Sequence, residues 1–296
     1  MEERINPPPT RNHLLSAILI QQLIASLVYP VAKVGLAEME AFTLAFFRFT
    51  IASVVLLAIV KSRRHDLAIE RKDYPRIVLL GILIIPLNQT LFLVGQAMTA
   101  AGHGAFLFAT TPLFVFLLAR IHLKERTTVR RLTGIVMGLL GVGLIMWSGL
   151  RTAGTEYLLG DSIIFVAVIA WAYYSILGKD LVRKYGALRI TAYALSSGAA
   201  LYFPFGLYRA IAFDYSGVTY AAWLSVGYLA VGLSVIVYLI WYWLLKYMDA
   251  SRAAVFQNIQ PVVASITAYF FLGEQIGAAF VIGGLVVMAG VVLSET

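Results

Sequence analysis

Read for its alternation of apolar and polar positions, the chain is a series of long apolar runs cut by short clusters of charged and turn-forming residues. A helix that crosses a bilayer needs about 20 mostly apolar residues, and the cuts leave pieces of that size. The pattern predicts ten transmembrane helices, over residues 14–36, 41–60, 77–97, 102–121, 130–148, 160–179, 189–211, 219–245, 251–272 and 277–294. The loops between them are too short for a soluble domain, so any function must be performed by the bundle itself. The polar start MEERINPPPTRNH leads into a run longer than a signal-peptide core, without a small-x-small cleavage site, and is read as a retained first helix.

Composition agrees and removes several chemistries. Of 296 residues 60% are hydrophobic and 13% charged, too apolar for a soluble domain to hide. With no cysteine there is no disulfide, zinc-thiolate site or thiol nucleophile. No HExxH, no G-x-S-G and no cluster of His or carboxylates at one depth is present, so neither an enzyme nor a cofactor or metal site is expected. Nothing resembles the filter loop of a channel.

The net charge is +8, and its placement matters more than its size. With the amino terminus cytoplasmic, nineteen Lys and Arg fall in the tail and cytoplasmic loops, against Lys33, Arg151 and Arg209 on the other side. That asymmetry places both termini in the cytoplasm. The basic balance is then a topology signal beside an anionic leaflet and calls for no nucleic-acid partner.

The two halves repeat. At a constant shift of 149, Ala105, Pro112, Leu123, Glu125, Gly134 and Gly141 fall on Ala254, Pro261, Leu272, Glu274, Gly283 and Gly290. Residues 1–150 and 151–296 thus form two five-helix repeats. Because five is odd, the second enters the bilayer from the opposite side, and the pair is inverted. Exchanging the shapes of two such halves turns a cavity open on one side into one open on the other.

A mid-helix proline, apolar residues, then L-x-E-R (123–126) or L-G-E-Q (272–275), then a Gly-rich last helix resembles the EamA repeat of the drug/metabolite transporter superfamily. Within it, the aromatic-rich second half most resembles the YddG-type exporters of aromatic and other amino acids in the bacterial inner membrane. The resemblance implies a ten-helix, inverted-repeat carrier that moves small metabolites outward. A multidrug or other metabolite exporter, with or without proton coupling, is the alternative.

Polar residues within apolar spans point to a pathway. QNIQP (257–261) stands mid-span, where an unpartnered amide costs on the order of a few kcal/mol. Gln257 and Gln260 are three apart, on one helix face, and Pro261 frees the carbonyl of Gln257. Gln257, Asn258 and Gln260 are therefore expected to line a hydrated midplane cavity, with Asn88 and Gln89 of helix 3 and, in the first half, Thr111 beside Pro112. Interhelical hydrogen bonding is the other reading of each amide.

Arg48 is the one basic residue well inside a span. Two roles fit it: binding the carboxylate of a ligand with its planar fork, or bonding to neighbouring helices as scaffold. Trp171, Tyr174 and Tyr238 offer rings for stacking or for an ammonium group, and packing alone is the other, more ordinary, reading of each. Every Asp and Glu sits at or beyond a helix end, which predicts facilitated movement down the substrate gradient, His103 being the remaining titratable group. Pro30, Pro112 and Pro261 are the expected hinges. The glycines of helices 5 and 10 predict close packing, leaving monomer or homodimer open.

Overall fold

The computed structural model describes residues 9–62, 68–99, 104, 107–125, 128–152, 158–260, 262–263, 266 and 278–295. Pro261 and His103 lie outside them. All regular elements among the described residues are helical: α1 (Arg11–Leu36), α2 (Ala41–Ser62), α3 (Arg71–Met98), α4 (Thr111–His122), α5 (Val129–Thr152), α6 (Leu158–Tyr185), α7 (Ala187–Ala212), α8 (Tyr220–Tyr247), α9 (Ala250–Val255) and α10 (Ala278–Glu295). Five of these, α1, α2, α3, α6 and α8, are long and apolar enough to cross a membrane.

Side-chain contacts sort the helix ends into two sets. At one end, Lys184 and Tyr185 of α6 bind Asp73 at the start of α3, and Arg131 of α5 binds Asp249 before α9. At the other, Lys33 of α1 donates to the Thr99 carbonyl after α3 (2.6 Å), and Thr99 donates to Asp161 at the start of α6. Arg209 of α7 pairs there with Glu40 before α2. The first set carries most of the basic residues and is called the basic end below.

The loop between α4 and α5 explains its own motif. Helix α4 ends on a left-handed residue, Lys124 (φ 51°), which turns Glu125 back so that its N–H donates to the Ala119 carbonyl at 3.3 Å. Glycine favours that conformation, and the shift of 149 places Gly273 there in the second half. Glu125 then accepts from Lys179 Nζ (2.7 Å), the Ala250 N–H (2.9 Å), the Ser251 N–H (3.3 Å) and Ser251 Oγ (2.7 Å). It caps α9 and ties it to α6. The sequence pattern ends the sixth helix at Lys179; in the structure Lys179 is buried within α6, which runs on to Tyr185 because no residue before Gly186 (φ 85°) stops it.

The shift of 149 also relates helix ends to one another. It carries both ends of α3 (Arg71, Met98) onto both ends of α8 (Tyr220, Tyr247), and the end of α1 (Leu36) onto the end of α6 (Tyr185). The helix pair α5 and α10 is antiparallel. A Cβ on Gly141 would stand 2.6 Å from the Gly283 carbonyl oxygen, and one on Gly290 would stand 2.6 Å from that of Gly134. The shift exchanges these two contacts, so the pair packs about a local twofold axis.

Two expectations follow. Gly141→Ala must push backbones apart and should lower the stability of the detergent-solubilised protein by about 1–3 kcal/mol, whereas Gly143→Ala, which meets nothing within 4 Å, should leave it unchanged or raise it; comparing apparent Tm values checks both. Burial raises the Glu125 carboxyl, but Lys179, the Ala250 N–H and Ser251 outweigh it and hold the group below the usual carboxylate value of 4.5. Its contribution is thus present above that value and is lost as pH falls through the lower, folded one. Glu125→Gln should destabilise by about 3–5 kcal/mol at pH 7, because it leaves Lys179 buried and unpaired, and the Tm gap to the unaltered protein should shrink as pH falls below the usual carboxylate value and through the lower, folded one.

Candidate functional site

Helices α3 and α8 each open into a wide π-type turn in mid-course, at Leu83–Thr90 and Tyr228–Val237. In α3 the cause is Pro86, which has no N–H to give the preceding turn. In α8 the Ser234 hydroxyl takes the Leu229 carbonyl at 3.0 Å, competing with the backbone for it. Such turns re-aim side chains, and here they bring two polar groups onto Arg48 of α2. Its Nε donates to Ser234 Oγ (2.9 Å) and its Nη2 to Gln89 Oε1 (2.7 Å).

Between these helices and α1, α6 and α9 lies a central cavity. Its wall includes Gln21, Tyr29, Gln89, Phe92, Phe108, Trp171, Tyr238, Gln257 and Gln260. Trp171 stands 13 residues from one end of α6 and 14 from the other, or about 20 Å at ~1.5 Å per residue, so the cavity is at mid-depth. Space open to the centres of water molecules amounts to about 50 Å³. That holds a few waters and falls far short of the ~300 Å³ of a small-molecule pocket. The chamber is contracted in this conformation.

Five of the expected residues meet at this wall: Gln257, Gln260, Gln89, Trp171 and Tyr238. Gln257 and Gln260 share it because the chain tightens to a 3₁₀ turn at Phe256–Asn258, where residues three apart eclipse. The same geometry turns Asn258 away. It is fully buried against Gly138 of α5, and its amide has no hydrogen-bond partner among the described residues.

Other expected residues stand behind the wall. Asn88 donates to the Ala167 carbonyl of α6 at 2.7 Å and accepts from Gln89, so it joins two helices. Tyr174 stacks on Trp171 and on Tyr242, with ring centroids 5.6 and 4.7 Å apart. Trp241 completes this cluster, donating from Nε1 to Ser175 Oγ at 3.0 Å. Thr111 is buried off the cavity, and its hydroxyl has no partner among the described residues.

Arg48 is in the second layer. It has no exposed surface, its Nη1 makes no hydrogen bond among the described residues, and its guanidinium lies 4.9 Å from the centre of the Phe49 ring. Tyr238 on the cavity wall stands near it, its hydroxyl without a hydrogen-bond partner among the described residues. No carboxylate pairs with it among the described residues.

Of the expected hinges, Pro30 sits one turn beyond a break at Leu27, where α1 interrupts between Ser26 and Val28. Pro112, read from sequence as a mid-helix residue, lies instead in the first turn of α4, after a turn at Ala109–Thr110; a missing N–H is harmless there.

Sequence reasoning missed the α1 contribution. Tyr29 donates to Gln260 Oε1 (3.4 Å), Gln260 Nε2 to Gln22 Oε1 (2.9 Å), and Gln22 Nε2 to Gln21 Oε1 (2.6 Å), an amide string between α1 and the residues that follow α9. The signal was a pair of glutamines in the apolar run ILIQQLIAS.

The sequence profile of the EamA-like transporter family matches the chain twice, over residues 14–147 and 158–296. An uncharacterized transporter of Archaeoglobus fulgidus is 30% identical over 96% of this chain and 97% of its own length. A probable terminal-alkyne amino-acid exporter of Streptantibioticus cattleyicolor is 26% identical over 94% of this chain and 91% of its own. A solved crystal structure of 20% identity superposes with a TM-score of 0.75, covering 95% of each chain, and shares the fold. The chain belongs to the EamA-like transporter family.

Proposed function

We propose that this transporter is a ten-helix carrier of the bacterial cytoplasmic membrane, built from inverted repeats at 1–150 and 151–296, with both termini cytoplasmic. It exports small metabolites that bear a carboxylate, amino acids including aromatic ones among them, by alternating access around the central cavity. The antiparallel α5–α10 pair, whose contacts the 149-residue shift exchanges, supports the inversion. The wide turns of α3 and α8, which overlap under that shift, support a chamber bounded by equivalent elements of both halves. The name of the Streptantibioticus relative supports amino-acid cargo.

One observation carries the substrate class: the buried guanidinium of Arg48, without a carboxylate partner among the described residues, stands directly behind Gln89 and Tyr238 of the cavity wall. A fixed positive charge in a medium of low dielectric attracts an anionic group and repels a cation. This favours carboxylates over the cationic aromatics of a multidrug exporter. The amides match the ammonium and carboxylate of a zwitterion, and the ring of Trp171 offers a stacking face. Among the described residues no acidic side chain lines the cavity, which supports transport down the substrate gradient.

Uptake of labelled amino acids and of dye cations into reconstituted vesicles tests the reading. Arg48→Met should keep or raise the Tm, because it removes a buried unpaired charge, while abolishing the preference for carboxylates. Gln257→Leu should slow transport about tenfold, the loss of one hydrogen bond worth ~1.4 kcal/mol. An imposed pH gradient should leave the rate unchanged. An undiminished preference for amino acids over dye cations in a folded Arg48→Met would exclude the carboxylate assignment.

A further inference from the structure

A second, larger hollow lies at the basic end and shares no lining residue with the central cavity. Space open to water centres there is about 620 Å³. Its walls come from Ala17 of α1, the end of α2, the corner between α6 and α7, and the last two turns of α8. The corner leaves room because Gly186 joins the two helices alone, and a Cβ there would meet nothing within 4 Å.

The lining is graded along the membrane normal. Ile59, Leu239, Ile240 and Trp243 form an apolar wall, and Arg189 and Lys246 stand at the helix ends beyond it. On α8, Leu239 and Lys246 are seven residues apart, or about 10 Å at ~1.5 Å per residue. Among the described residues no lining side chain is acidic. Tyr185 on the wall does bind Asp73, but Lys184 matches that carboxylate at 2.8 Å. Apolar depth below a rim of two cations complements one kind of molecule: a phosphate carried on acyl chains.

We propose that this hollow is a binding site for an anionic phospholipid, with its phosphate between Arg189 and Lys246 and an acyl chain along Trp243, Ile240 and Leu239. A soluble anion would leave the apolar wall without a partner, and a zwitterionic lipid would bring its own cation towards the two basic side chains. The site does not depend on the identity of the transported substrate. It couples the leaflet at the basic end to α8, whose upper part holds Ser234 and Tyr238 against Arg48.

The test uses the purified full chain, loaded with phosphatidylglycerol or phosphatidylcholine and examined by native mass spectrometry. Phosphatidylglycerol should be retained at least fivefold better, and Lys246→Gln and Arg189→Gln should each reduce that preference about fivefold, the usual effect of one basic side chain near an anionic headgroup. Lys246→Arg and Arg189→Lys keep the charge and should keep the preference, which covers the case of a Gln variant that fails to fold. Equal retention of the two lipids by the unaltered protein would overturn the proposal. So would displacement of phosphatidylglycerol by inorganic phosphate alone, since the acyl chain would then contribute nothing.

Discussion

A hydrogen-bonding group at the middle of a bilayer has no water to fall back on, so each one must be matched inside the protein or face a hydrated space. The centre of this molecule is arranged around that constraint. Amides of α1 and of the residues that follow α9 bond to one another in a string from Gln21 to Gln260, Asn88 takes a carbonyl of α6, and Gln89 and Ser234 take two of the donors of Arg48. Gln257 faces the small central cavity instead, while the Asn258 amide and the Thr111 hydroxyl are buried off it with no partner among the described residues. The polar core is therefore at once what fastens the helices at mid-depth and what makes a hydrophilic chamber there.

Irregular backbone supplies the geometry. A straight α-helix presents adjacent residues about 100° apart, and the groups that must converge here come from positions such a helix would scatter. The wide turn of α3 is caused by Pro86 and that of α8 by Ser234, so different residues produce a similar distortion in corresponding helices. The tight turn at Phe256–Asn258 has its counterpart at the break before Thr111, 149 residues earlier. Each distortion stands beside a polar or aromatic side chain of the chamber, which is where a departure from ideal helix has something to gain.

The two ends are closed by different means. At the basic end Glu125 gathers four donors from α6 and α9 in a buried cluster, which joins the loop of one half of the chain to helices of the other. At the opposite end the ties are more exposed: Lys33 to a carbonyl, Arg209 to Glu40, and Thr219 to Glu38. A buried, fully bonded carboxylate is harder to separate than a solvated pair. The chamber between them is contracted, and the ends differ in how readily they would part.

The sequence by itself determined the class of the molecule, the approximate course of most helices, the repeat and its shift of 149, because these rest on local composition and periodicity, which every residue reports independently. It also identified QNIQP, Gln89, Trp171 and Tyr238 as residues to watch, since a polar or aromatic group in an apolar span stands out. Only the tertiary structure decided which way they point. Gln257 and Asn258 are neighbours in the chain, yet one faces the cavity and the other faces Gly138, because a tight turn sends adjacent side chains apart. Lys179 and Glu125 read from the sequence as charges at helix ends, and it is the further run of α6 to Tyr185 that buries them together. Contacts between residues tens or hundreds of positions apart depend on how helices cross, and no local pattern encodes that.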